Sequence, residues 1–224
     1  MPQLIDLTLT LGSDQVTAVP GLIGVTMEPL QTHESHTRSN TKLTLATHLG
    51  THVDAPYHFH PDGITVDNMP LNRYMGPAKL LDLRELARGQ SPISIADLQR
   101  AGADAEAVRG LIAVLFTEWA ARESGKPGFY SQGPYLSTEA ADYLAQAQVN
   151  AVAVDFPIDK HPPTPASTID DFPVHRLLLG QNIPLIENLI NLDQLVGREF
   201  ELWALPIKLQ GGDGAAARAV ARIL

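Results

Sequence analysis

The strongest constraint on the fold is a pair of short, continuous apolar runs, LIAVLF at residues 111–116 and the AVAV of AVAVDF, residues 151–156. A strand with one wet face alternates apolar and polar residues. These runs do not alternate, so both faces of each must be covered. Other segments of strand length lie at residues 4–11, 43–54, 78–83 and 202–209. Helix signals fall between them. Ser94 and Asp97 form a capping box with Gly102 as a stop. Ser137 opens STEAADYLAQAQ, with Glu139 in the first turn, where a carboxylate favours the helix dipole. DFPVHRLLLGQN reads as a short helix entered at Pro173 and ended at Gly180. The alanine-rich GAAARAVARIL is expected to close the chain as a helix. Strands alternating with helices argue an α/β fold. With no repeat, low-complexity tract or clear linker, residues 1–224 are expected to form one domain. The loosest stretch is residues 164–171.

Composition narrows the chemistry. The chain has 224 residues, 44% hydrophobic and 18% charged, which suits a globular protein. A formal net charge of −9 makes nucleic acid an unexpected partner, and no basic run suggests an anionic membrane. No cysteine is present, which excludes disulfides, thiolate metal sites and cysteine nucleophiles. Met1, Pro2 and Gln3 are not followed by a basic-then-apolar leader, and no apolar run is long enough to span a bilayer. The expected location is the cytoplasm.

Half of the eight histidines lie in ATHLGTHVDAPYHFHPDG, residues 46–63. His48 and His52 would share a helix face, but Asp54 would turn away from it, and Gly50, Thr51 and Val53 are poor helix residues. In a strand the three positions share a face. A straight strand rising about 3.3 Å per residue would hold the His48 and Asp54 backbones about 20 Å apart. Metal–ligand bonds are about 2 Å long, so a shared ion requires a bend inside the motif. Gly50 is the residue that permits it, and Pro56 ends any ladder just beyond. The alternative is a polar surface loop. Far downstream stand His175 and Glu187. Glu187 lies in the apolar IPLIENLINL, where an unpaired carboxylate is costly. A cation would satisfy it; so would an ion pair with Arg176 or Arg84. His175 could equally be a helix-surface residue. The glycine-rich GGDG at residues 211–214 lacks phosphate-loop spacing and reads as a tight turn before the last helix. His60 reads as a solvent-facing loop residue. No G-x-S-x-G elbow, Walker loop or G-x-G-x-x-G is found.

HLGTHVDAPYHF, residues 48–59, resembles the H-x-G-T-H-x-D-x-P-x-H-F signature of the cyclase-like metal hydrolases, a family that includes bacterial kynurenine formamidase and isatin hydrolase. AVDFPID, VHRLLLGQNIPLIENL and LPIKLQGGDGAAARAVA resemble further segments of the family, so the likeness spans nearly the whole chain. It implies a swivelling β/β/α fold in dimers or higher oligomers. It implies a divalent metal, zinc or manganese, one or two per chain. His48, His52 and Asp54 would hold the first, and Asp54, His175 and Glu187 the second. His58 resembles the family's catalytic acid/base. The implied reaction is hydrolysis of a small amide, formamide or lactam by activated water. Ring closure or dehydration on the same site, and a metal- or ligand-binding protein without turnover, are the alternatives. Two departures stand out. Family kynurenine formamidases usually carry Trp-Pro-Gly-Asp near the N-terminus, where this chain reads AVPGLIG, residues 18–24. DGAAAR lacks the proline usual after DGS. His33 and His36, in the polar loop that follows AVPGLIG, carry no assigned role.

Overall fold

A computed structural model describes residues 3–85, 89–161, 164 and 166–224. The described strands are β1 (Leu4–Asp6), β2 (Thr26–Gln31), β3 (Asn40–Thr44), β4 (His52–Asp54), β5 (Met75–Asp82), β6 (Pro92–Ile93), β7 (Ile112–Phe116), β8 (Tyr135–Leu136), β9 (Ala151–Val154), β10 (Leu185–Glu187), β11 (Phe200–Pro206) and β12 (Gly214–Ile223). The helices are α1 (His33–His36), α2 (Ile95–Arg100), α3 (Ala105–Val108), α4 (Trp119–Glu123), α5 (Thr138–Gln146) and α6 (Pro173–Gly180).

The two unbroken apolar runs become β7 and β9, parallel neighbours inside an eight-stranded sheet ordered β1-β12-β11-β5-β7-β9-β10-β4. Every residue of both strands is buried. On β7, Ile112, Val114 and Phe116 face one apolar cluster, and Ala113 and Leu115 face another. The first cluster fills the interior of the curved sheet, which closes on itself because β4 pairs with both β10 and β12. The second seats α5 and α6 on the outer face, through Leu144, Val174 and Leu178. The expected α/β fold is the one observed.

Local signals place the helices. Ser94 and Asp97 cap α2 reciprocally, and Gly102 follows it with a φ of +93°. The Ser137 side chain accepts from the Ala140 N–H at the start of α5. Helix α6 begins at Pro173 and ends at Gly180, as its sequence predicts.

The C-terminal expectation is overturned. Residues 214–223 form β12, the longest strand described, not a helix. Alanine favours helices only weakly, and tertiary pairing overrides that preference. β12 is hydrogen-bonded along both edges, to β11 on one side and to β4 and β1 on the other. Ala215, Ala217, Ala219 and Ala221 face the sheet interior with period two. Arg218 and Arg222 share the opposite face, paired with Asp6 and Glu201. A spacing of four fits one face of a helix and one face of a strand alike, so the arginines could not discriminate.

Residues 43–54 likewise do not form one strand. β3 pairs only with β2, in a hairpin whose residues are exposed apart from Gln31, and the chain re-enters the main sheet at His52. Of the loosest stretch, residues 164–171, Pro165 lies outside the described residues, as do Met1 and Pro2 of the N-terminal reading.

Candidate active site

The bend required by the spacing is present. Gly50 has a φ of +62°, in the left-handed region, and β4 begins two residues later. The turn aims the Gly50 carbonyl inward, where it accepts from His52 Nδ1 at 2.8 Å and from Asn188 Nδ2 at 2.9 Å. Thr51 ties the bend to both flanks: its hydroxyl donates to the Asn188 carbonyl and accepts from the Leu9 N–H.

On β4, Val53 points into the sheet interior, so His52 and Asp54 point outward, toward α6. β10 is antiparallel to β4 and sets Glu187 directly opposite His52. Ile186 faces inward and Glu187 joins the outer face. Helix α6 brings His175 down onto the same point. His48 Nδ1 stands 2.7 Å from Asp54 Oδ1, and His52 Nε2 stands 3.2 Å from that same oxygen. His175 Nε2 stands 3.4 Å from Asp54 Oδ2 and 3.4 Å from Glu187 Oε1. The structure therefore gathers His48, His52, Asp54, His175 and Glu187 into two groups joined through Asp54. Glu187 pairs with neither Arg176, which meets Asp170, nor Arg84, which meets Asp82. His175 is half-buried rather than a surface residue.

His58 lies in a short 3₁₀ turn, Pro56–His58, set by Pro56 at its start. Its ring stacks on that of His48 with centroids 3.8 Å apart, and Phe59 meets it edge-on. His60 corrects an expectation. It is not a solvent-facing loop residue: its Nε2 donates to the Arg176 carbonyl at 2.9 Å and fastens the His58 turn to α6. His33 and His36 lie in exposed α1.

Two carboxylates were missed by the sequence reading. Asp159 accepts from His175 Nδ1 and from the backbone N–H groups of Val174 and His175. It lies in AVDFPID, a segment matched as a whole with no residue singled out. Asp213 stands 3.1 Å from His48 Nε2. It lies in GGDG, which does form a turn, but before a strand.

The charges are strongly perturbed. Burial works against a charged His48, yet the Asp54 charge and Asp213 raise its pKa to about 10. Burial would raise Asp54, but His48 and bonds from His175 and His52 hold it well below the carboxylate range. Burial pushes His58 down to about 3, so it is neutral at ordinary pH. Two buried carboxylate oxygens, Asp54 Oδ2 and Glu187 Oε1, make no hydrogen bond of ordinary geometry; the nearest nitrogen to each is His175 Nε2, at 3.4 Å. Such orphans are expensive unless a cation meets them. Ligands about 2.1 Å from a tetrahedral ion stand about 3.4 Å apart, the separation each orphan shows from His175 Nε2. The mixed imidazole and carboxylate donors fit a borderline divalent cation.

Above this cluster opens a cavity of about 210 Å³, walled by Val19, Leu22, Phe59, Tyr130, Ile158 and Phe172. Val19 and Leu22 belong to AVPGLIG, so the segment that departs from the resemblance forms part of the cavity wall.

The Cyclase family model matches residues 5–159, more than half of the chain. A kynurenine formamidase of Bacillus mycoides (strain KBAB4) is 30% identical over 223 residues, covering 98% of this chain and 97% of that protein. Isatin hydrolase A from Ralstonia solanacearum superposes with a TM-score of 0.83 at 24% identity, covering 100% of this chain and 92% of that one. A structure described as a potential metal-dependent hydrolase with cyclase activity superposes with a TM-score of 0.71 at 23% identity, covering 99% and 98% of the two chains. The chain belongs to the cyclase family. Among the described residues, no helix is long and apolar enough to cross a membrane.

Proposed function

We propose that this protein is a metal-dependent hydrolase of a small amide, formamide or lactam. The observation that carries the reading is the pair of buried oxygens, Asp54 Oδ2 and Glu187 Oε1, that make no hydrogen bond of ordinary geometry and converge on one nitrogen of His175. His48, His52 and Asp54 would hold one divalent cation, and Asp54, His175 and Glu187 a second. Zinc and manganese both suit these donors. Such ions, when bound, supply Lewis acidity toward a carbonyl and acidify water.

The chain's own residues do the rest. The apolar walls seat the organic part of the substrate and exclude bulk water. His58 is the catalytic residue. Stacked over the cluster, its neutral ring takes a proton from the attacking water as the carbonyl carbon becomes tetrahedral, a role open to imidazole because it ordinarily titrates near neutral pH. It then delivers that proton to the departing nitrogen. His60 and the Pro56–His58 turn fix its place over the cluster. This role also disfavours a purely metal- or ligand-binding protein, since His58 is not needed to hold an ion.

Residues 1–224 act as one domain on a small-molecule substrate, in the cytoplasm. A homodimer or higher homo-oligomer is the favoured assembly: the exposed β2–β3 hairpin presents Met27 and Leu43 side by side, and an isolated two-stranded ribbon is marginal in water. Light scattering of the eluted protein at twice the chain mass or a higher multiple supports this; a monomer refutes it.

The activity is tested by adding N-formylkynurenine, and separately isatin, to zinc- or manganese-loaded protein and then a chelator. Chelator-sensitive hydrolysis of either supports the reading. Metal-loaded protein inert toward both of these and toward other small formamides and lactams would refute it.

A further inference from the structure

Each histidine assigned above to a metal has two ring nitrogens, and only one can face the ion. The other nitrogen of each has a fixed oxygen partner. For His52 it is the Gly50 carbonyl, and for His175 it is Asp159. For His48 it is Asp213, with Oδ2 3.1 Å from Nε2.

The turn that carries Asp213 is built to reach this ring. The Asp213 carbonyl accepts from the Ala55 N–H at 2.9 Å, just past Asp54, so the turn is stitched to the end of β4. Gly214, the next residue, has no side chain, and the close approach demands that. A Cβ there would lie 2.7 Å from His48 Cε1 and 2.6 Å from the Val53 carbonyl oxygen. His48 and Thr47 together hold the Asp213 carboxylate low, at a pKa of about 2. Asp213, His48 and His58 offer donor atoms that all lie within 4.8 Å of one another.

We propose that Asp213 is a positioning residue: its carboxylate accepts the Nε2–H of His48 and so presents the Nδ1 lone pair to the point that Asp54 Oδ1 also faces. The turn GGDG is thereby part of the metal centre. This inference rests on the metal-site reading above. Because His58 stacks on His48, the same contact sets the plane on which the acid/base ring lies. Outer carboxylates of this kind fix a ligand's tautomer, and their loss costs about ten- to a hundredfold in metal affinity.

The test is zinc affinity by competition with a chromophoric chelator, on wild type, Asp213→Ala and Asp213→Asn. Asp213→Ala should weaken zinc binding about ten- to a hundredfold. Asp213→Asn should lose less, because its amide oxygen still accepts the Nε2–H; a role in packing or folding alone predicts no such ranking. Should the alanine variant fail to fold, the asparagine variant still reports. Nitrogen-15 spectra of labelled histidine in the zinc-loaded protein should show His48 as the Nε2–H tautomer in wild type. Wild-type zinc affinity in Asp213→Ala overturns the proposal. Wild-type protein that takes up no zinc overturns the metal-site reading instead, so the two failures are distinguishable.

Discussion

The two halves of the proposed metal cluster are built in different ways. His48, His52 and Asp54 come from one seven-residue stretch folded back at Gly50. His175 and Glu187 come from α6 and β10 and meet Asp54 only because β10 pairs with β4 and α6 packs on the sheet. The local half depends on one backbone turn, and the assembled half on the whole fold. Asp54 belongs to both, one oxygen to each.

Asp54 is therefore where the comparison breaks most completely. Asp54→Ala should abolish binding at both halves and lower turnover to below about one thousandth, several kcal/mol of lost transition-state stabilisation. Metal analysis alongside initial rates checks it; retention of one ion would show the halves to be independent. His58→Ala separates chemistry from metal holding. Turnover should fall about 10²- to 10⁴-fold with metal content unchanged. Proton competition compares the halves directly. His48, with a pKa of about 10, is protonated at pH 7 without metal, and the carboxylates of Asp159, Asp54 and Glu187 raise His175 against the effect of burial. A ring protonated on both nitrogens must shed a proton to bind an ion. Apparent zinc affinity should thus rise with pH, about tenfold per unit for each proton displaced, and level off near pH 10 for the His48 half. Proton release on zinc addition measures this, and pH-independent binding would contradict it. The smallest effect is expected at the bend. Gly50→Ala places a side chain at a φ of +62° and 2.9 Å from Leu11 Cδ2. A cost of about 1–2 kcal/mol is expected, and so a Tm lower by about 2–8 °C, with the local half weakened more than the assembled half.

The same contrast explains what was legible in the sequence. The β7 and β9 runs announce their double burial because nothing polar interrupts them. The caps at Ser94, Ser137 and Pro173 act within a few residues, and each marks its helix. The bend at Gly50 follows from the reach of a strand set against the length of a metal bond. His175 and Glu187 could be singled out as candidates, but surface and ion-pair readings stood equally open until β10 was placed beside β4. Asp159 and Asp213 offered no local signal. Each meets a histidine that is 16 or 165 residues away in the chain. β12 failed for the converse reason. Its alanines carry a local helix preference, and its strand state comes from partners on both edges that no window of sequence contains.

The account rests on two ion sites sharing Asp54, and metal stoichiometry tests that most directly. Wild type and Glu187→Ala should be dialysed against limiting free zinc or manganese and analysed for metal per chain. The account predicts two ions in wild type and one in the variant, since Glu187 serves only the assembled half. Equal metal content in the two proteins would show that Glu187 is not a ligand and that the second site does not exist.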